Sequence, residues 1–362
     1  MFYDGHNREY ILYIPSSYSS STATPILFAF HGGTGYADDF MNYEADFRPI
    51  ADTAGFILVY PQALGDPNDC FNTSWLHKDP TDHKDIFFIE ALIDTLSTVY
   101  NVDSDRIYAC GYSLGGMFSY ELACNLNYKI AAISSVSGAA FIGAFGNCDL
   151  YHPTAVLTIN GTTDNEHPYN DQSGVFFPVP DISEFWANHN NTDQTPVVTN
   201  IPDYDPTDGS TVERKTWENG DNCVSVVELK VNNGDHDWPS PLSFWANQDI
   251  NANIEVWNFV SKFDMMGLID CNPTNNFYIL HCVSIYPTEP DMVNIKNITG
   301  LKRKFPNCVI GFSDHTIGST FAISSVALGA KIIEKHFTDD NNRNGPDHKF
   351  SMNFLTLSLI HI

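Results

Sequence analysis

The stretch Arg106-Ile-Tyr-Ala-Cys-Gly-Tyr-Ser-Leu-Gly-Gly-Met117 constrains the fold more than any other part of this 362-residue chain. A β-rich run, Arg106 to Cys110, enters Gly111-Tyr-Ser113-Leu-Gly115, and a helical pattern follows from Gly115. Reversing from strand to helix over so few residues leaves no room for side chains at the flanking positions. It also forces the residue between them into a strained conformation. Ser113 then stands at the start of a helix, where an oxyanion formed on a substrate meets the backbone N–H of Leu114 and the positive end of the helix dipole. This is the local geometry of a serine nucleophile carried on a strand of a mainly parallel sheet.

A serine hydroxyl attacks only when a base takes its proton and a carboxylate orients that base. Downstream, the apolar run Val156 to Ile159 leads through Asn160-Gly-Thr-Thr to Asp164, 51 residues beyond the serine, where an orienting acid is expected. Asp149, Asp171 and Asp181 are its nearest competitors. A further run, Val224 to Val231, leads into Asn-Asn-Gly234-Asp-His236-Asp-Trp-Pro. Of the 13 histidines, His236 alone combines a strand end, a glycine turn and the right order, so it is the expected general base. His31 is expected to brace its own loop, and His77, His83, His152 and His167 are read as structural. The loop His31-Gly32-Gly33-Thr34-Gly35 follows an apolar strand and presents backbone N–H groups; either Gly33 or Thr34 is expected to join Leu114 as the second oxyanion donor.

The surrounding pattern agrees with an α/β sandwich of a mainly parallel sheet with helices on both faces. Strands are predicted at Tyr10–Ile14, Ile26–Phe30, Phe56–Tyr60, Arg106–Cys110, Ala131–Ser135, Val156–Ile159 and Val224–Val231. Helical spacing marks Asp85 to Tyr100, and further helices are expected from Gly115 and near Ile254. The segment Pro178 to Asn222, rich in Trp, Asn, Asp and Thr, is where substrate contacts are expected, although its aromatic residues are equally suited to pack on the core.

Charge divides the chain. Residues 1 to 275 carry 10 Lys+Arg and 37 Asp+Glu, whereas residues 276 to 362 carry 8 and 7, so a net charge of −27 gives way to +1. The turn-rich Asp270-Cys-Asn-Pro-Thr-Asn-Asn276 lies at the change. Domains are therefore expected at 1–270 and 277–353, with a junction at 271–276 and an apolar tail at 354–362. The acidity disfavours nucleic acid. No run approaches the roughly 20 apolar residues of a membrane span, and no basic-apolar leader opens the chain. The eight cysteines show no zinc spacing, and no cofactor is expected.

Residues 4 to 270 resemble the feruloyl and acetylxylan esterases and the poly(3-hydroxybutyrate) depolymerases. The resemblance rests on DGHNREYILYIP, FHGGTGYADDF, the pair Ser74-Trp75, KDIFFIEALIDTLSTVYNVDSDRIYACGYSLGGM, NGTTDNEHPY and NNGDHDWP. It implies an α/β-hydrolase fold, the triad Ser113, Asp164 and His236, an oxyanion hole at Gly33 and Thr34, and Trp75 as a wall of the substrate cleft. The implied substrates are small or polymeric esters, and the implied location is extracellular or periplasmic, with the native start missing. The sequence departs from the family at Gly234-Asp-His236, where a second glycine is usual.

Residues 277 to about 353 resemble the N-acetylneuraminate synthases in LHCVSIYPT, IGFSDHTIG, SVALGAKIIEKHFT and GPDHKFSMN. That resemblance implies late strands of a (β/α)₈ barrel, with His315 and His281 near a metal and phosphoenolpyruvate. A closed barrel takes eight strands and about 200 residues or more. This segment offers about three strands and two helices, an incomplete barrel, so the condensation activity is expected to be absent and the chain reads as a fused or misassembled reading frame.

Overall fold

The computed structural model describes residues 1–66, 69–75, 83–148, 150–269, 271, 278–305, 308–353 and 356. It forms two compact units, Met1–Cys271 and Asn272–Ile362. The expected junction and the apolar tail lie outside the described residues, apart from Cys271 and Thr356.

Unit one is built on nine strands: β1 (Tyr10–Tyr13), β2 (Thr24–Phe30), β3 (Ile57–Pro61), β4 (Val102–Tyr112), β5 (Ala132–Val136), β6 (Ala155–Gly161), β7 (Val197–Asn200), β8 (Thr211–Trp217) and β9 (Val226–Asn232). Across the sheet they run β7-β8-β9-β6-β5-β4-β2-β3-β1. The six strands from β9 to β3 are parallel, with β1 antiparallel at one edge and β8 and β7 antiparallel at the other. This is an α/β-hydrolase-like sheet.

The sequence of β2, TPILFAF, shows why the sheet is buried on both sides. Successive side chains point to opposite faces, so Leu27 and Ala29 enter one core and Ile26, Phe28 and Phe30 the other. The second core is closed by α2 (Lys84–Val99), α3 (Leu114–Asn125) and α4 (Val179–His189) through Phe88, Leu92, Phe118, Leu122, Ile182 and Trp186. The first is closed by α1 (Arg48–Ala54) and α5 (Ala252–Val260) through Ala51, Val256 and Trp257. Each fully buried Phe or Leu contributes roughly 1.5–3 kcal/mol. Disulfides join Cys124 to Cys148 and Cys223 to Cys271.

The seven predicted strands and three predicted helices are present with ends shifted by a few residues. The segment 178–222 is a different matter. It forms α4, β7 and β8, and its two tryptophans, Trp186 and Trp217, are buried in the core rather than offered to a substrate.

Unit two holds three parallel strands in sequence order, β10 (Tyr278–Cys282), β11 (Val309–Asp314) and β12 (Ile332–Lys335), with α6 (Asn297–Lys304) and α7 (Thr320–Ala327) between them. Val293, Ile298, Ile310, Phe312 and Ala330 form its apolar core. Among the described residues these strands do not close into a barrel.

Candidate active site

The end of β4 delivers Ser113 to the start of α3 with φ 53° and ψ −119°, a region that residues with a side chain rarely occupy. Its N–H donates to Val136 O at 2.9 Å and its carbonyl accepts from Met117 N at 3.0 Å, so the turn is fixed from both sides. The flanking glycines are obligatory on steric grounds. A Cβ on Gly111 would lie 2.3 Å from the Gly115 carbonyl carbon, and one on Gly115 would lie 2.2 Å from Phe30 O.

Ser113 Oγ donates to His236 Nε2 at 2.9 Å, and His236 Nδ1 donates to Asp164 Oδ2 at 2.7 Å. The three side chains come from separate strand ends, β4, β6 and β9. Two loops are stitched together to bring them there: Thr163 N and Oγ1 both donate to Gly234 O, Asn233 N donates to Thr162 Oγ1, and Thr162 N donates to Val231 O. Tyr112 Oη, one residue before the serine, donates to His236 O at 2.7 Å. The carboxylate of Asp164 is buried, and its second oxygen accepts from the N–H groups of Glu166 and His167, both at 2.8 Å. These donors fix the carboxylate so that its other oxygen is aimed at the imidazole. Of the competing carboxylates, Asp171 is half-buried and satisfied by Ser173 and Phe176 of its own turn; Asp181 lies in the first turn of α4; and Asp149 lies outside the described residues.

The loop after β2 packs directly on this elbow. A Cβ on Gly32 would sit 3.2 Å from Ser113 Cβ, and one on Gly33 would sit 2.6 Å from Leu114 Cδ1. Among the described residues no acceptor takes the N–H of Gly33 or of Leu114. Thr34 differs from its expected role: its N–H is spent on Thr73 O at 2.8 Å, and its backbone has a left-handed φ of 58°. Of the two alternatives, Gly33 is the one with a free donor.

Trp75 also departs from expectation. It is 1% exposed, stacks on Phe118 at 4.9 Å and meets Phe30 edge-on at 5.1 Å, so it presents no surface to a cleft. Its Nε1 donates to His31 O at 2.8 Å, which makes it a brace for the glycine loop. His31 is the other brace. It is buried, its Nδ1 donates to Gly32 O, and its Nε2 accepts from Ala63 N and the Gln62 amide. Burial pushes its pKa down to about 4, so the ring stays neutral.

His167, read from sequence as structural only, lies against the site. Its ring stands edge-on to His236 at 5.1 Å and 89°, its Nδ1 donates to Ser137 O at 2.7 Å, and burial holds its pKa below the usual imidazole value. The only signal for it in the sequence is its position three residues after Asp164. His77 lies outside the described residues. His152 is occupied by Pro153 O and Asn127 O, and His83 packs on Phe87.

In unit two, His281 stacks on Phe312 and its Nε2 donates to Val293 O at 2.6 Å. His315 uses both nitrogens, with Val283 O and Ser313 Oγ as partners. Among the described residues no group of three His, Cys, Asp or Glu side chains forms a metal site. These residues do not fit the metal that the synthase resemblance implies.

Residues 248–361 match the NeuB family, a match whose first residues lie at the end of unit one. The bifunctional acetylxylan esterase/xylanase of Neocallimastix patriciarum is 27% identical over 271 residues, covering 74% of this chain and 35% of that protein. The N-acetylneuraminate-9-phosphate synthase of Drosophila melanogaster is 42% identical over 134 residues, 36% of each chain. Among solved structures, the acetyl xylan esterase of Aspergillus awamori aligns with a TM-score of 0.48 and 15% identity, covering 64% of this chain and 89% of that one. The chain thus spans about a third of the length of these two sequence relatives. Its N-terminal part resembles acetylxylan esterases, and its C-terminal part carries a NeuB segment shared with sialic acid synthases.

Proposed function

We propose that unit one is a serine carboxylic ester hydrolase. The observation that carries this reading is the continuous relay from Ser113 Oγ through His236 to Asp164, at 2.9 and 2.7 Å. Ser113 Oγ adds to the ester carbonyl as His236 Nε2 takes its proton. The oxyanion is held by the N–H groups of Leu114 and Gly33, where preorganised donors act most strongly. Collapse of the tetrahedral intermediate expels the alcohol with the proton returned from His236, leaving an acyl-serine. Water, deprotonated by the same imidazole, then releases the acid. Asp164 keeps the Nδ1–H tautomer and stabilises the imidazolium.

The substrate class is a feruloyl, acetyl or hydroxybutyrate ester, carried on a plant polysaccharide or a polyester; the relationship to an acetylxylan esterase/xylanase supports the acetylated polysaccharide. The esterase occupies residues 1–270, with a junction at 271–276 and a partial synthase barrel at 277–353. The two disulfides support an extracellular or periplasmic location. Among the described residues no helix is long and apolar enough to cross a membrane.

The NeuB match favours a second reading, condensation of phosphoenolpyruvate with an N-acetyl sugar. Among the described residues three parallel strands stand open, without the further strand ends that would grip phosphoenolpyruvate, so the esterase is the reading the geometry favours.

Hydrolysis of p-nitrophenyl acetate and methyl ferulate by the full chain, with Ser113→Ala as control, tests the esterase. Turnover that vanishes in the variant supports it; equal turnover in both, or none in a folded parent, overturns it.

A further inference from the structure

Four of the most exposed large apolar side chains in unit one cluster on two loops joined at their bases. Leu242, Phe244 and Trp245 are 88, 90 and 91% exposed, and Tyr204 is 72% exposed. The first three sit six to nine residues beyond His236 in the same loop. Their loop is closed at its neck by Ser240 N donating to Asn247 O, and Ser243 caps its interior through bonds to the N–H groups of Trp245 and Ala246. Beneath the tips lies a buried polar scaffold. Asn247 donates to Ser210 Oγ and Asp249, Asp249 accepts from the N–H groups of Tyr204 and Asp205, and Asp208 accepts from Gln248 N and from Ser210. The link to the site is just as firm. Trp238 is buried against Phe40, Phe47 and Tyr112, and Ser137 Oγ holds Asp237 O.

Flat rings held out in water on a satisfied polar base call for an occupant, and the charges around them select it. Residues 201–210 and 232–250 contain Asp203, Asp205, Asp208, Asp235, Asp237 and Asp249 and no Lys or Arg. A polyanion, an anionic lipid surface or an acidic peptide is repelled there, and a second copy of this chain would set acid against acid. A neutral chain rich in hydroxyls suits both elements: the C–H faces of pyranose rings stack on indole and phenyl faces, and the carboxylates accept hydrogen bonds from sugar hydroxyls.

We propose that the Leu242–Trp245 tip, with Tyr204, is a platform that grips the neutral sugar backbone of a polysaccharide-linked ester and holds it beside Ser113. The proposal deepens the esterase reading and rests on it for the role of Ser113.

The test uses the full chain with a Phe244→Ala/Trp245→Ala substitution. In a Ser113→Ala background, depletion by insoluble acetylated xylan is expected to weaken about tenfold or more, the scale on which truncated aromatic anchors lose binding. In the active protein, the rate on acetylated xylan divided by the rate on p-nitrophenyl acetate is expected to fall by a similar factor. Undiminished depletion overturns the platform, as does a concentration-dependent dimer that the substitution abolishes in sedimentation. An inactive parent that still binds xylan through Trp245 would sink the esterase and leave the platform standing; an active parent whose binding ignores Trp245 does the reverse.

Discussion

Replacing Trp75 by Phe separates a brace from a cleft wall. A phenyl ring keeps much of the contact with Phe30 and Phe118 but loses the indole N–H that serves His31 O. Leaving a buried carbonyl unpaired costs about 1–3 kcal/mol, and the space left by the smaller ring brings the total to roughly 2–4 kcal/mol. At about 2–4 °C per kcal/mol for a domain of this size, the melting temperature should fall by roughly 4–16 °C. The same carbonyl belongs to the residue whose Nδ1 holds Gly32 O, so the Gly33 donor loses its fixed position. On p-nitrophenyl acetate, well below the transition, kcat is expected to drop several-fold while KM stays level, because the loop acts on the transition state. Scanning calorimetry with steady-state kinetics gives both readouts. An unchanged melting temperature and kcat, with a raised KM for methyl ferulate, would refute the brace and restore Trp75 to the cleft.

Ser113→Gly and Ser113→Ala should both be inactive, yet only glycine relaxes the φ of 53°; denaturant melts should show the glycine variant more stable than the alanine variant by roughly 1–3 kcal/mol. His31 is neutral in the folded state with its pKa lowered to about 4, so folding excludes a proton that the unfolded chain binds; stability should decline as pH falls from about 6.5 toward 4, and a His31→Gln variant should show a shallower slope in that window. Burial on α3 raises the Glu121 carboxyl to about 7, the opposite sign: stability should decline as pH rises from about 4.5 to 7, and Glu121→Gln should flatten the curve. Among the described residues unit two has open strand edges and a core centred on five side chains, so limited proteolysis should cut beyond residue 275 first; a 362-residue chain whose second unit resists as long as unit one does would contradict this.

The elements that lay open in the sequence are those whose sequence pattern and packing agree. β2, β3 and β6 carry apolar runs and are buried along their whole length because both faces are covered, and the glycines around Ser113 are there because backbone occupies the space of a side chain. β8 was hidden because Thr-Val-Glu-Arg-Lys-Thr-Trp reads as polar, and its closest charge partners lie across space, Lys215 with the buried Glu228 of β9 and Arg214 with Glu255 of α5. β7 is exposed along its whole length and carries no apolar alternation to read. Thr34 was indistinguishable from Gly33 until Thr73 was seen to occupy its N–H. The bracing role of Trp75 and the place of His167 beside His236 were not legible for one reason: a residue type does not say whether its ring faces solvent, a loop or another ring.

The placement of β9 bears on how the chain is made. It slots between β6 and β8, although β6 precedes it by more than sixty residues, so the sheet stays split until residue 232 has left the ribosome. Until then β6 shows an open edge of Val156, Leu157 and Ile159, the kind of surface that recruits other nascent chains. At about 5–20 residues per second, the 91 residues after Cys271 extend synthesis by roughly 5–18 s. Synthesis of unit two therefore gives the sheet time to close while the chain is still tethered.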